Sequence, residues 1–256
     1  MLTLFSCVDD ALGRLNKQYL SEETLMELLI EGISNKKNVM KDDAESLKKI
    51  TLDEAGSITK IAWQYCGLQG SVDLQWLPPR AQVVKLFTNK LTGSIDLASL
   101  PEGLKRLDLY NNAFNGTIAL DGLPPRMEML AVSINQLTGT LDLEHLPRTM
   151  TKVYFSENLF LGTVNLTLLP SMIRRLCLNA NQLDGPVDLT HLPTGIVQLS
   201  LSDNNFSGQT DFSQLPESLT QLDYEKTQLS GELPLLWNAS THLPYEMESS
   251  DDEWSE

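Results

Sequence analysis

The 256-residue chain carries 19 basic and 34 acidic residues, a net charge of -15 that opposes contact with phosphate backbones and anionic lipid, so neither nucleic acid nor membrane is an expected partner. Hydrophobic residues at 41% and charged residues at 21% leave enough apolar material for a core and exclude a wholly disordered chain. Cys7, Cys66 and Cys177 form an odd set without CxxC spacing, and no basic-flanked leader or 18-residue apolar run occurs; a reducing, cytoplasmic location without disulfide, metal or cofactor is expected.

Residues 1–57 carry a net charge of -4, residues 58–235 of -5 and residues 236–256 of -6. In the first segment Ser21 precedes Glu22 and Glu23, and Leu25, Leu28, Leu29 and Ile33 come after them at helical spacing. This predicts an amphipathic helix over 22–33 with acids at its positive end. Asp42 or Asp43 starts a second predicted helix running through Leu47 and Ile50. Residues 1–57 are read as a helical cap on the periodic remainder of the chain.

From residue 58 the chain is periodic. Glycine recurs every 23 residues at 70, 93, 116, 139, 162, 185, 208 and 231, and Asn89, Asn112, Asn135, Asn158, Asn181 and Asn204 keep the same step. Leu-Pro pairs from Leu77-Pro78 to Leu215-Pro216 keep it as well. Counted back from each Asn, positions -8, -5 and -3 are apolar, as in Leu104, Leu107 and Leu109. The x-L-x-L-x segment alternates with period two and reads as a short strand; no window holds helical periodicity long enough for a full helix. Stacked copies therefore place these strands in one parallel sheet. The Asn column supplies a donor and an acceptor to the turn leaving the sheet, and all six amides are expected to be buried. Glycine four residues later permits a bend, and Pro after the +11 Leu favours extended backbone.

The form LPxxLxxLxLxxNxLxGxxDLxxLP resembles the leucine-rich-repeat superfamily, most closely the 23-residue repeats of kinetoplastid protists. The resemblance covers about 58–235 and implies a right-handed solenoid with a concave parallel sheet, little helix on the convex side and a non-catalytic role in binding. Eight coils are expected, counting atypical ends where Cys66 and Thr227 occupy the Asn column. The chain departs from plant-type repeats, which have Pro after the G-x-I step where this chain has Asp73, Asp96, Asp142, Asp188 and Asp211.

Several constellations bear on chemistry. His145 and His191 stand two coils apart, about 10 Å at the strand spacing, too far to share a metal ion. Cys177 belongs to the strand while both histidines belong to the opposite turn, so no thiol-imidazole pair and no enzyme is expected. The Asp column, with Asn165 standing in at one coil, is read as a set of Asx caps in preference to a calcium ladder. Sequons begin at Asn115, Asn165, Asn205 and Asn238, so a secreted or surface-displayed glycoprotein is the alternative.

Positions -6, -4 and -2 point away from the apolar set and are read as a solvent-facing floor. The first six coils place five basic residues and one acid there, and aromatic and Arg side chains are favoured at interaction hot spots. Lys85, Phe87, Arg106, Tyr110, Lys152, Tyr154 and Arg175 are the resulting candidate site, expected to bind a protein with an acidic surface while the chain stays monomeric. Residues 236–256 hold six acids and no base and are read as a disordered tail, with Ser249 and Ser250 before Asp251 as candidate phosphorylation sites.

Overall fold

The computed structural model describes residues 17–39 and 49–233, together with the backbone of a strand pair at Val8–Asp9 and Arg14–Leu15. The second predicted helix up to residue 48, His242, Asn238, Ser249, Ser250 and the acidic tail lie outside these residues. Among the described residues no helix is long and apolar enough to cross a membrane.

The 23-residue period becomes a β-solenoid, the coil architecture of leucine-rich repeats. Eight strands, Ile58–Ala62, Val83–Lys85, Arg106–Asp108, Met129–Ala131, Lys152–Tyr154, Arg175–Cys177, Gln198–Ser200 and Gln221–Asp223, stack in parallel. Register is one full repeat throughout: Arg106 pairs with Met129, and Met129 with Lys152.

A second parallel sheet exceeds the single one expected. Its eight strands run from Gln69–Ser71 through Lys90–Gly93 and Gln136–Gly139 to Gln228–Ser230. Its signal lies in Leu91-x-Gly93-x-Ile95, a short period-two run; Leu91 and Ile95 are buried while Thr92 and Ser94 face outward. Because the repeat length is constant, stacking one strand per coil stacks this segment too. Gly139 (φ +86°) shows why glycine ends it, since an added Cβ would crowd the Thr117 methyl at 2.8 Å.

The core runs the length of the coil. At the +2 position Phe114, Phe160 and Phe206 alternate with Leu137 and Leu183, all buried. Large and small side chains thus interleave from coil to coil, which fills the interior without overpacking it.

The amino-terminal helix, α1 (Glu22–Leu29), is capped by Ser21, whose Oγ accepts from the Thr24 amide at 3.2 Å. It buries Leu25, Met26 and Leu29 and packs against the short 3-10 turn Leu74–Trp76. It ends at Leu29, four residues before the predicted end, because backbone pairing with the first coil competes with helix continuation. The Ser71 amide donates to Gly32 O at 3.0 Å and the Ser34 amide to Gln69 O at 2.9 Å, in an antiparallel bridge between Ile33 and Gly70. Glycines at 32 and 70 allow this approach; a Cβ on Gly70 would clash with the Gly32 carbonyl. Asn35 adds two bonds, accepting from the Gln69 amide and donating to Gly67 O, both at 2.9 Å.

The other sheet edge is closed by Ile50–Leu52, an antiparallel strand against Ile58–Ala62. Ile50 is therefore strand, not the helix end predicted for it. Both amino-terminal sheet edges are covered, which withdraws their unpaired backbone groups from other chains.

Candidate binding surface

The Asn column fixes the geometry of each coil. In Asn135, Nδ2 donates to Val132 O (3.0 Å), Ser133 O (3.3 Å) and Leu109 O of the preceding coil (3.1 Å), while Oδ1 accepts from the Phe114 amide at 3.0 Å. Asn89, Asn112, Asn158, Asn181 and Asn204 repeat the pattern. Only Asn158 and Asn204 are fully buried; the other four are half-buried, contrary to the expectation for all six. At the last coil Thr227 Oγ1 donates to Tyr224 O at 2.7 Å, reproducing one of the amide's bonds.

One residue before this column every coil takes a left-handed conformation, with Ile134 at φ 54° and Asn111 at the same angle one coil earlier. A β-branched residue is strained there, whereas Asn tolerates it. The Ile134→Asn variant is expected to gain about 1 kcal/mol, read as a higher urea midpoint; a lower midpoint would show that Ile134 packing outweighs its strain.

On the opposite side of the coil the Asp column forms Asx turns. Asp96 Oδ1 accepts from the Ala98 amide at 2.9 Å, Asp211 from Ser213 at 2.8 Å, and Asn165 from Thr167 at 2.9 Å. Hydroxyl and amide donors hold the Asp188 and Asp211 carboxyls below the usual range. A shallow groove lies between these turns, lined by Asn165, Pro186, Asp188 and Asp211 among others. His145 Nδ1 contacts Asp142 Oδ2 at 2.7 Å and His191 contacts Thr190 Oγ1 at 2.8 Å, each within its own turn.

The concave floor is more closed than its sequence pattern implied. Short strands in tight register bring side chains of neighbouring coils together, and Lys85 and Phe87, both read as solvent-facing, are buried at 7% and 6% exposure. Tyr65 covers Phe87 edge-on, with ring centroids 5.2 Å apart. Arg106, Tyr110, Lys152, Tyr154 and Arg175 are half-buried. Lys85, Lys152, Tyr154 and Arg175 all have partners within the fold. The seven candidates thus lie on one face, but two of them serve the floor instead of its surface.

Asp108 is the floor's buried acid, at 1% exposure between Lys85 and Ala131 in register. Burial pushes its carboxyl up to about 6, against the opposing pull of Arg106, the Tyr110 amide and Lys85. Its Oδ2 has no hydrogen-bond partner. In the sequence Asp108 is only one acid among the positions read as exposed; nothing in its repeat position distinguishes it from Lys85 or Ala131. Cys177 is also buried, and desolvation pushes its thiol up to about 12, the reverse of what a nucleophile requires.

The stacked coils, the amide column and the concave parallel sheet define a leucine-rich-repeat fold. The sequence matches no protein-family model and no curated relative. Among solved structures, the chain is similar to Pollen Receptor Kinase 3 at TM-score 0.56 and 23% identity, covering 84% of this chain and 98% of that one. It is similar to a plant ice-binding protein at 0.61 and 21%, covering 81% and 79%. A third is the Arabidopsis HAESA leucine-rich-repeat ectodomain in complex with an IDA peptide hormone, at 0.58 and 19%, covering 94% of this chain and 44% of that one. These likenesses place the fold in the leucine-rich-repeat class despite the Asp that replaces the plant-type Pro.

Proposed function

We propose that the chain is a non-catalytic, monomeric, cytoplasmic recognition scaffold that binds a protein partner on the concave face of the solenoid. The single observation that carries this reading is the group Arg106, Tyr110, Lys152, Tyr154 and Arg175, half-buried on one parallel sheet. Side chains already partly ordered lose little freedom on association, and Tyr and Arg are the types that supply hot spots. The HAESA ectodomain's complex with a peptide hormone lends support at the level of the fold. The unbroken 23-residue step favours kinship with the kinetoplastid repeats, and Ser249 and Ser250 are proposed as sites for an acid-directed kinase.

Replacing Tyr110 and Tyr154 together by Ala is expected to weaken partner capture about tenfold or more while circular dichroism stays unchanged. His145→Ala with His191→Ala, on the convex turns, should leave capture intact. Loss of capture in the histidine pair alone puts the site on the other face. A secreted glycoprotein is the second reading, favoured by the exposure of Asn115 and Asn205 on the second sheet. A mass decrease of the endogenous protein after glycosidase treatment decides for it.

A further inference from the structure

Charge is segregated around each coil. Within residues 58–235, the five positions lying ten to six residues before the Asn column hold 9 basic and 3 acidic residues, whereas all other positions hold 3 basic and 14 acidic. These five positions are the turn that enters the concave strand and the strand's first residue. Parallel stacking therefore gathers them along one lateral edge of the solenoid.

The strand register makes the inner row explicit. Lys60, Val83, Arg106, Met129, Lys152 and Arg175 succeed one another as direct neighbours, so four cations stand in a single file. Lys60, Arg106 and Lys152 occupy every second strand, about 9.6 Å apart at a strand spacing near 4.8 Å. On the turns outside this file Arg126 and Arg148 are exposed. Neighbouring cations there are partly spent within the fold, Arg80 on Asp53 at 3.2 Å and Lys105 on Glu128 at 3.6 Å. The last two coils contribute no cation to the edge; Glu217 stands there instead.

We infer that this edge seats an acidic peptide segment of a partner protein, lying extended along the solenoid axis beside the concave floor. A polyproline-type chain advances about 3.1 Å per residue with three residues per turn, so acids at every third residue recur about every 9.3 Å on one face. That interval matches the file of cations. A duplex matches it poorly, presenting one phosphate charge per roughly 1.7 Å to a molecule whose remaining circumference is acidic. The inference rests on the concave side being the recognition side and names the chemistry of what is recognised there.

The test uses the full chain and a labelled ten-residue oligoglutamate peptide, with binding followed by fluorescence anisotropy at low and high salt. Arg126→Glu with Arg148→Glu and Lys37→Glu with Lys90→Glu change the net charge equally, and all four positions are solvent-exposed, so both variants should fold. The edge pair is expected to weaken binding about tenfold at low salt, the control pair less than about twofold, with both effects fading as salt rises. Equal weakening by the two pairs, or no binding either to the wild type or to a chain whose tail acids are neutralised, overturns the site. Tighter binding of a single-stranded oligonucleotide through the same residues overturns the peptide as occupant. Binding that emerges only after the six acids of residues 236–256 are converted to amides overturns the partner in favour of the chain's own tail. Partner capture that depends on Tyr110 and Tyr154 yet ignores the edge pair leaves the proposed function standing while the edge assignment fails.

Discussion

Asn135→Leu is expected to lower the stability of the protein by about 1–3 kcal/mol, while Gln136→Leu at the adjacent exposed position changes it by less than about 0.5 kcal/mol. The asymmetry comes from what the amide does. Asn135 joins Val132 O of its own coil to Leu109 O of the one before and also accepts from the Phe114 amide. Leucine fills the volume but strands the Phe114 amide and removes one of two donors from each carbonyl, since Asn112 still donates to Leu109 O and Asn158 to Val132 O; a stranded group costs about 1–3 kcal/mol where water cannot substitute. Asn135 is half-buried, so solvent relieves part of the total. Because repeat-protein stability is a sum of coil and interface terms, a defect in the middle also loosens coupling between the two halves. Urea unfolding monitored by circular dichroism should show an earlier and broader transition. Coincident curves for the two variants would falsify the ladder's structural role.

The second large effect concerns pH. The Asp108 carboxyl is raised to about 6 by burial, so the folded state holds this proton more tightly than the unfolded chain, whose carboxyl titrates near 3.8. Between those two values the folded state binds more protons, and stability falls as pH rises. A gap of that size is worth about 3 kcal/mol at 1.36 kcal/mol per unit. Asp108→Asn removes the titration and keeps the shape. The stability of the wild type relative to this variant should therefore decline by about that amount from pH 4 to pH 7 and level off above pH 7. Taking the difference cancels contributions common to both proteins, including the lowered carboxyls of Asp188 and Asp211, which act below pH 4 with the opposite sign. Parallel curves over this range would mean that Lys85 and Arg106 fully compensate the charge.

Asp108 also shows where sequence reading loses its grip. Its column position is shared with Ala131, Tyr154 and Ser200, and alternation says only that these side chains leave the core face. Whether such a residue is then open to solvent depends on its neighbours one coil away, which is why Lys85 and Phe87 are buried while Tyr110 is not. The amino-terminal cap carries the same lesson. Ser21 and the acids after it locate the helix start, but its end is decided by the first coil, where Gly32 and Gly70 let two backbones meet.

The repeat period, the strand positions, the amide column and the Asx turns are all determined by the sequence, because each depends on residues within one coil and recurs in every copy. The second sheet, the closed floor and the basic edge were decided only by the tertiary structure. Each exists because residues 23 apart in the chain become neighbours about 4.8 Å apart in space. Stacking of this kind turns faint local preferences into continuous surfaces, and burial and charge are properties of those surfaces more than of any single repeat.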